Sequence, residues 1–134
     1  MKRKAFLPLV ILLVFIIGCT QQSRLSSRLS AEWNIAKFEA RTFEGSTSSI
    51  ENAGTLVLRS NGRGTQSFTS SIAHAGDQAS TDFEWNNTDR TVSIMAQGAS
   101  VPKIWIVVDS SRSKQLWYST DSSGNVQIMH LEKK

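Results

Sequence analysis

The chain has 134 residues, 15 Lys and Arg against 11 Asp and Glu, and a formal net charge of +4. Its single cysteine excludes an intramolecular disulfide. Three of the cations are Lys2, Arg3 and Lys4; the other 12 nearly balance the 11 anions, so the high isoelectric point does not point to nucleic acid.

The chain opens with Lys2-Arg3-Lys4, followed by an apolar run from Ala5 to Ile17. A basic segment before a short apolar run is the layout of a secretory signal. The run is shorter than the roughly 20 residues a membrane-spanning helix needs. Pro8 in its first turns also argues against a buried helix. The run ends in Ile16-Ile17-Gly18-Cys19. This resembles the lipobox of bacterial lipoproteins, with Ile16 where Leu is commonest. The resemblance implies a diacylglyceryl group on the Cys19 sulfur and cleavage between Gly18 and Cys19. Acylation of the new amino group, as by palmitate, then follows. Lipid would cap the only thiol, and at about 0.8 kcal/mol per buried methylene two or three chains anchor the protein durably.

Residues 1–18 then form a signal peptide, 19–30 a lipidated flexible tether and 31–134 the folded domain. The mature chain keeps 116 residues, enough for one core. The tether is polar and Ser-rich. Leu25 and Leu29 stand four apart and allow one helical turn that closes the end of the domain. Thr20 is not the Asp that retains such lipoproteins in the inner membrane. Residues 21–24 lack the acidic residues that follow the Cys in surface-exported lipoproteins of the Bacteroidetes type. The resemblance therefore implies the outer membrane, on its periplasmic face.

From Ser30 onward the pattern is β, with short alternating runs separated by turn signals. Eight strands are expected, at Glu32–Thr42, Gly54–Ser60, Arg63–Ser70, Thr81–Asn86, Thr91–Ala96, Lys103–Asp109, Lys114–Thr120 and Asn125–Glu132. In the first, Trp33 and Ile35 alternate but Phe38 falls out of phase. A bulge near Ala36 restores it; a short helix over Trp33, Ala36, Lys37 and Ala40 competes. Ser60-Asn61-Gly62-Arg63 is the strongest hairpin signal in the chain. A two-residue loop there would put Phe68 on the face away from Leu56 and Leu58. A three-residue loop with Gly62 in the left-handed region sets Leu58 opposite Gly64 and Leu56 opposite Gln66. Phe68 then shares the leucines' face, so the bulged loop is predicted.

Ser71–Ser80 is the longest irregular link. Phe83 and Trp85 alternate with Asp82 and Glu84, as in a half-buried strand. Ile104-Trp105-Ile106-Val107-Val108 is apolar on both faces. This predicts a strand covered on both sides or in contact with something outside.

Eight short strands joined by tight turns predict an all-β, antiparallel up-and-down barrel; a β-sandwich is the alternative. Several segments resemble small bacterial lipoproteins with a lipocalin-like domain. They are Ser30-Ala31-Glu32-Trp33-Asn34-Ile35, the Gly54–Thr65 hairpin, Phe83-Glu84-Trp85, the Leu116-Trp117 strand and His130-Leu131-Glu132-Lys133. In that family a Trp of the first strand plugs the base of the barrel. Ligand binding does not transfer with a fold.

No grouping of residues carries chemistry. His74 and His130 lack a second ligand at metal spacing, so no metal site and no cofactor are expected. The serines show no nucleophile motif, and Asp82 and Glu84 share one wet face, so an enzyme is not expected. The aromatic set of Trp33, Phe38, Phe68, Phe83, Trp85, Trp105, Trp117 and Tyr118 either fills the barrel or lines an open-mouthed pocket. Trp105 and Trp117, if outward, would instead mark a contact with a partner or membrane. Two functions are thus open. One is a lipid-anchored monomer binding a small apolar or amphiphilic ligand through residues the sequence does not identify. The other is a filled barrel holding an envelope protein.

Overall fold

The computed structural model describes residues 21–68 and 80–134. The signal peptide, Gly18, Cys19, His74 and nearly all of the Ser71–Ser80 link lie outside the described residues. Eight strands follow one another: β1 Glu32–Arg41, β2 Thr47–Leu58, β3 Arg63–Phe68, β4 Thr81–Asn87, β5 Thr91–Ala96, β6 Lys103–Ser110, β7 Lys114–Thr120 and β8 Val126–Lys133. Each pairs antiparallel with the next, and β8 pairs back onto β1, so the sheet closes into an up-and-down barrel. Closure gives every strand a neighbour on both sides, although Thr47–Ala53 of β2 pairs only with β1 among the described residues.

Within each strand the pleat sends alternate residues inward. On β4, Phe83, Trp85 and Asn87 are buried while Asp82, Glu84 and Asn86 are exposed. On β1 the phase breaks between Ile35 and Lys37 against both neighbours, so Ala36 is the predicted bulge, and Phe38 turns inward. The helical alternative for this segment is excluded by its ladder on both sides. Across from it on β2, Asn52 adopts a positive φ of 51° and the following Ala53 is fully buried. Asn tolerates the left-handed region better than most residues, which suits a bulge.

β2 begins at Thr47, seven residues before the expected Gly54. Apart from the half-buried Ile50 its first half is polar and exposed, so no alternation marks it; it is extended because β1 offers it a partner, Arg41 facing Thr47 and Phe38 facing Ile50. The β2–β3 hairpin has the expected three-residue loop. Leu58 faces Gly64, Leu56 faces Gln66 and Gly54 faces Phe68, with Gly62 at φ 83°. Gly54 and Gly64 are also required for close approach. A Cβ on Gly54 would collide with the Ser67 carbonyl, and one on Gly64 with the Val57 carbonyl and the Phe83 ring.

The helical turn of Leu25 and Leu29 that closes the end of the domain is present, and the flexible-tether reading around it needs correction. Residues 21–29 form an α-helix, α1, that belongs to the folded body. Leu25 and Leu29, one turn apart, are both buried in the core cluster. The Trp33 indole donates to the Leu29 carbonyl at 3.0 Å, satisfying one of the carbonyls a helix end leaves open. Gln22 and Asn87 exchange side chain-to-backbone bonds of 2.8 and 3.2 Å, and Arg28 donates to Ser110 Oγ at 3.2 Å. The composition is linker-like because the outer face of α1 is wet. The two leucines are enough to seat its inner face.

α1 closes one end of the barrel, the base. Above it Trp33, Ile35, Leu56, Leu58, Val92, Trp117, Met129 and Leu131 fill the interior with almost no exposure. Leu29→Ala is expected to destabilise the barrel by about 2–5 kcal/mol, the usual cost of such a cavity. Chemical denaturation followed by tryptophan fluorescence measures it; an unchanged midpoint would show that α1 does not contribute to the core.

Candidate functional site

The two ends of the barrel differ. The base is sealed by α1 and Trp33. The opposite end, the mouth, is ringed by the β1–β2, β5–β6 and β7–β8 turns. There a cavity of about 470 Å³ opens between the strand ends, with Phe38, Phe68, Phe83, Ile94, Trp105 and Lys103 among its lining. Its volume is within the roughly 300–1,000 Å³ typical of small-molecule sites.

The apolar walls follow from the strand alternation. Phe38 reaches the interior because of the Ala36 bulge, and Phe68 because of the three-residue hairpin loop. The two rings meet edge to face, 5.8 Å between centroids at 83°, a favoured aromatic geometry. Phe68 stays partly exposed to the mouth. Trp105 is buried, tilted against the fully buried Trp117 at 6.3 Å. Both indoles therefore lie inside the barrel, so of the readings open to them the outer contact is excluded. The outward apolar residues of β6 are its aliphatic ones: Ile104, Ile106 and Val108 are each about half exposed. The β6 segment is thus covered on its inner face only, among the described residues.

A larger groove of about 930 Å³ runs between α1 and residues 58–60. Serines, Gln22 and Asn87 line most of it, and it offers no apolar wall beyond Leu58. The mouth is the better candidate because apolar enclosure with few polar groups is what holds a small ligand.

Lys103 is the one charged side chain among the described residues lining this cavity. It shares the inward phase of Trp105 two residues on, and its ammonium lies 4.7 Å from the centre of that ring. It donates to the Gln127 side-chain oxygen from across the opening. Lys103 keeps contact with solvent, yet loss of hydration lowers its pKa below the ordinary lysine value; the more distant Asp121 carboxylate pulls the other way. Asp121 itself is held below the usual carboxylate range, chiefly by the Asn125 amide, then by backbone N–H groups. Those bonds (Asn125 Nδ2 at 2.9 Å, Ser123 N at 2.9 Å) rigidify the β7–β8 turn at the rim. The sequence offers the aromatic residues of the mouth as a pocket lining, but not Lys103 or Gln127. The signal available was a Lys heading an otherwise apolar strand, in phase with a Trp.

No group of three His, Cys, Asp or Glu side chains able to hold a metal exists among the described residues. His130 sits outside the barrel, its Nε2 3.9 Å from Glu39, within a surface cluster where Lys37 pairs with Glu39 at 2.7 Å. The Lys37 hydrogen bond is the main cause holding Glu39 below its ordinary pKa. No described helix is long and apolar enough to cross a membrane.

No protein-family model matches the chain, and no curated protein matches it. Among solved structures, a redesigned β-barrel is similar over 81% of this chain and 94% of its own, at 16% identity and a TM-score of 0.48.

The lowered pKa of Lys103 has a consequence for stability. At neutral pH the ammonium is charged in both folded and unfolded chains, and folding removes part of its water. The resulting deficit is full below the folded pKa and vanishes as pH rises towards the unfolded value. Lys103→Met, which keeps the stem but removes the charge, is expected to raise the denaturation midpoint at pH 7 and not at pH 11. Equal effects at both pH values would show that the charge is fully hydrated.

Proposed function

We propose that this protein is a lipid-anchored envelope lipoprotein whose barrel mouth takes up a small apolar or amphiphilic ligand, without catalysis. The observation that carries the ligand reading is the apolar cavity at the end of the barrel that α1 does not seal. Its walls are aromatic and aliphatic, and it opens beside a filled core. The anchor rests on the lipobox resemblance at Ile16-Ile17-Gly18-Cys19. Thr20 and residues 21–24, read by the same resemblance, support the periplasmic face of the outer membrane, and we take the barrel to act as a monomer.

The two halves of the reading fit together geometrically. Cys19 precedes Gln21, the first described residue of α1, by two positions. Two residues of chain reach at most about 7 Å. A lipidated Cys19 therefore holds the α1 end of the barrel against the bilayer and leaves the mouth facing away from it. A ligand would enter from the aqueous side or from an apposed surface, rather than from the anchoring leaflet. This arrangement also follows from the correction of the tether: with residues 21–29 folded, almost no slack remains.

The alternative, a filled barrel that only holds an envelope protein, draws on the half-exposed stripe of Ile104, Ile106 and Val108 on the outside of β6. One measurement separates the two. Native mass spectrometry of the protein released from membranes is expected to show acyl mass on Cys19 and a bound small molecule. An unmodified Cys19 would sink the anchor. A barrel that stays empty after exposure to a membrane lipid extract would favour the alternative. In cells, Cys19→Ala is expected to abolish incorporation of labelled palmitate.

A further inference from the structure

The mouth carries more than an apolar wall. Its polar groups are arranged in a one-sided way. Lys103 contributes an ammonium with three N–H donors, one of which is used on Gln127 Oε1. That bond leaves the Gln127 amide NH₂ as a further donor, and it has no partner among the described residues. No carboxylate lies within 4.0 Å of the Lys103 ammonium among those residues; the ion pairs present involve Lys37, Arg41, His130 and Lys134. A cation at the rim of an apolar cavity, with a ring face on one side and an amide on the other, has no carboxylate in ion-pair contact among the described residues; Asp121 acts on it only from farther off. Charged groups that have lost hydration are normally paired.

We propose that the mouth selects a single-chain amphiphile with an anionic head, a carboxylate or phosphate monoester. Lys103 Nζ and the Gln127 amide hold the head, and the chain lies among Phe38, Phe68, Phe83 and Ile94. This assignment rests on the reading of the mouth as a ligand site. The cavity of about 470 Å³ is near the lower end of the usual range for such sites, which suits one alkyl chain rather than a two-chain lipid. The head group is specified by what the rim lacks as well as by what it has. Donors without an opposing acceptor reward an anion, and the fixed ammonium repels a cationic head. The carboxylate of Asp121 belongs to the β7–β8 turn, where Asn125 and Ser123 already occupy it. The Trp105 face adds attraction for the ammonium and keeps Lys103 over the opening.

The test compares four ligands sharing one dodecyl chain: dodecanoate, dodecyl phosphate, dodecanol and dodecyltrimethylammonium. The purified protein is held in phosphatidylcholine nanodiscs, with empty nanodiscs correcting for partition, and binding is read from tryptophan fluorescence, to which Trp105 in the mouth responds. Both anions are expected to bind roughly tenfold more tightly than dodecanol, as for one charge-assisted contact in a partly desolvated site. The ammonium compound is expected to bind most weakly. In Lys103→Met the ratio of anion to alcohol affinity is expected to fall near one, with dodecanol binding reporting that the barrel is intact; Lys103→Arg is expected to keep the preference. Dodecanol binding as tightly as the anions, or a preference that survives Lys103→Met, overturns the head-group assignment alone. Failure of all four to bind overturns the mouth as a ligand site and this assignment with it.

Discussion

The structure depends on β1 being shared. It is laddered to β2 on one side and to β8 on the other, and that second ladder is what turns a meander into a barrel. Sharing imposes a geometric demand, since both neighbours must accept the same bulge at Ala36. β8 meets it with a register shift, and β2 with the left-handed Asn52. The bulge changes which side of β1 looks inward. Below it Trp33 and Ile35 fill the base; above it Phe38 forms part of the mouth. One extra residue thus links the closure of the sheet to the lining of the cavity.

The barrel is also polar in a larger sense, with unlike ends. An eight-stranded barrel has an interior that side chains can nearly fill, and in the lower half they do. Trp33 and Trp117 are fully buried there, and the helix adds Leu25 and Leu29 from below. Towards the mouth the inward residues are Phe38, Phe68, Phe83, Ile94 and Lys103, and a cavity of about 470 Å³ opens among them. The same strands therefore serve as a solid plug at one end and, among the described residues, an open cup at the other. Because α1 is tied to β1, β4 and β6 by hydrogen bonds, whatever holds the N-terminus also orients the cup.

Lys103 marks the point at which stability and function diverge. A purely structural mouth would place an uncharged residue beside Trp105. Instead an ammonium sits where hydration is partly lost, and among the described residues the Asp121 carboxylate acts on it only from beyond ion-pair contact. The surface cluster around Glu39 shows the contrast. There Lys37 and Arg41 face a carboxylate in the ordinary way, and such exposed pairs contribute little.

Much of this could be read from the residues alone. Alternation placed eight strands in order, the dipeptide Asn61-Gly62 with Phe68 set the hairpin register, and the out-of-phase Phe38 located the bulge. These are local properties, because a side chain's face is decided by its distance along its own strand. Three matters needed the third dimension. Residues 21–29 read as a tether because only two leucines in a polar stretch are buried, and their value depends on an open barrel end waiting for them. The first half of β2 carries no pattern because, apart from the half-buried Ile50, it is held by its backbone pairing with β1 and not by its side chains. Trp105 and the isoleucines beside it alternate along an apolar run, so sequence could not say which of them faced in; closure of the sheet decided it, since only one face of β6 looks at the core.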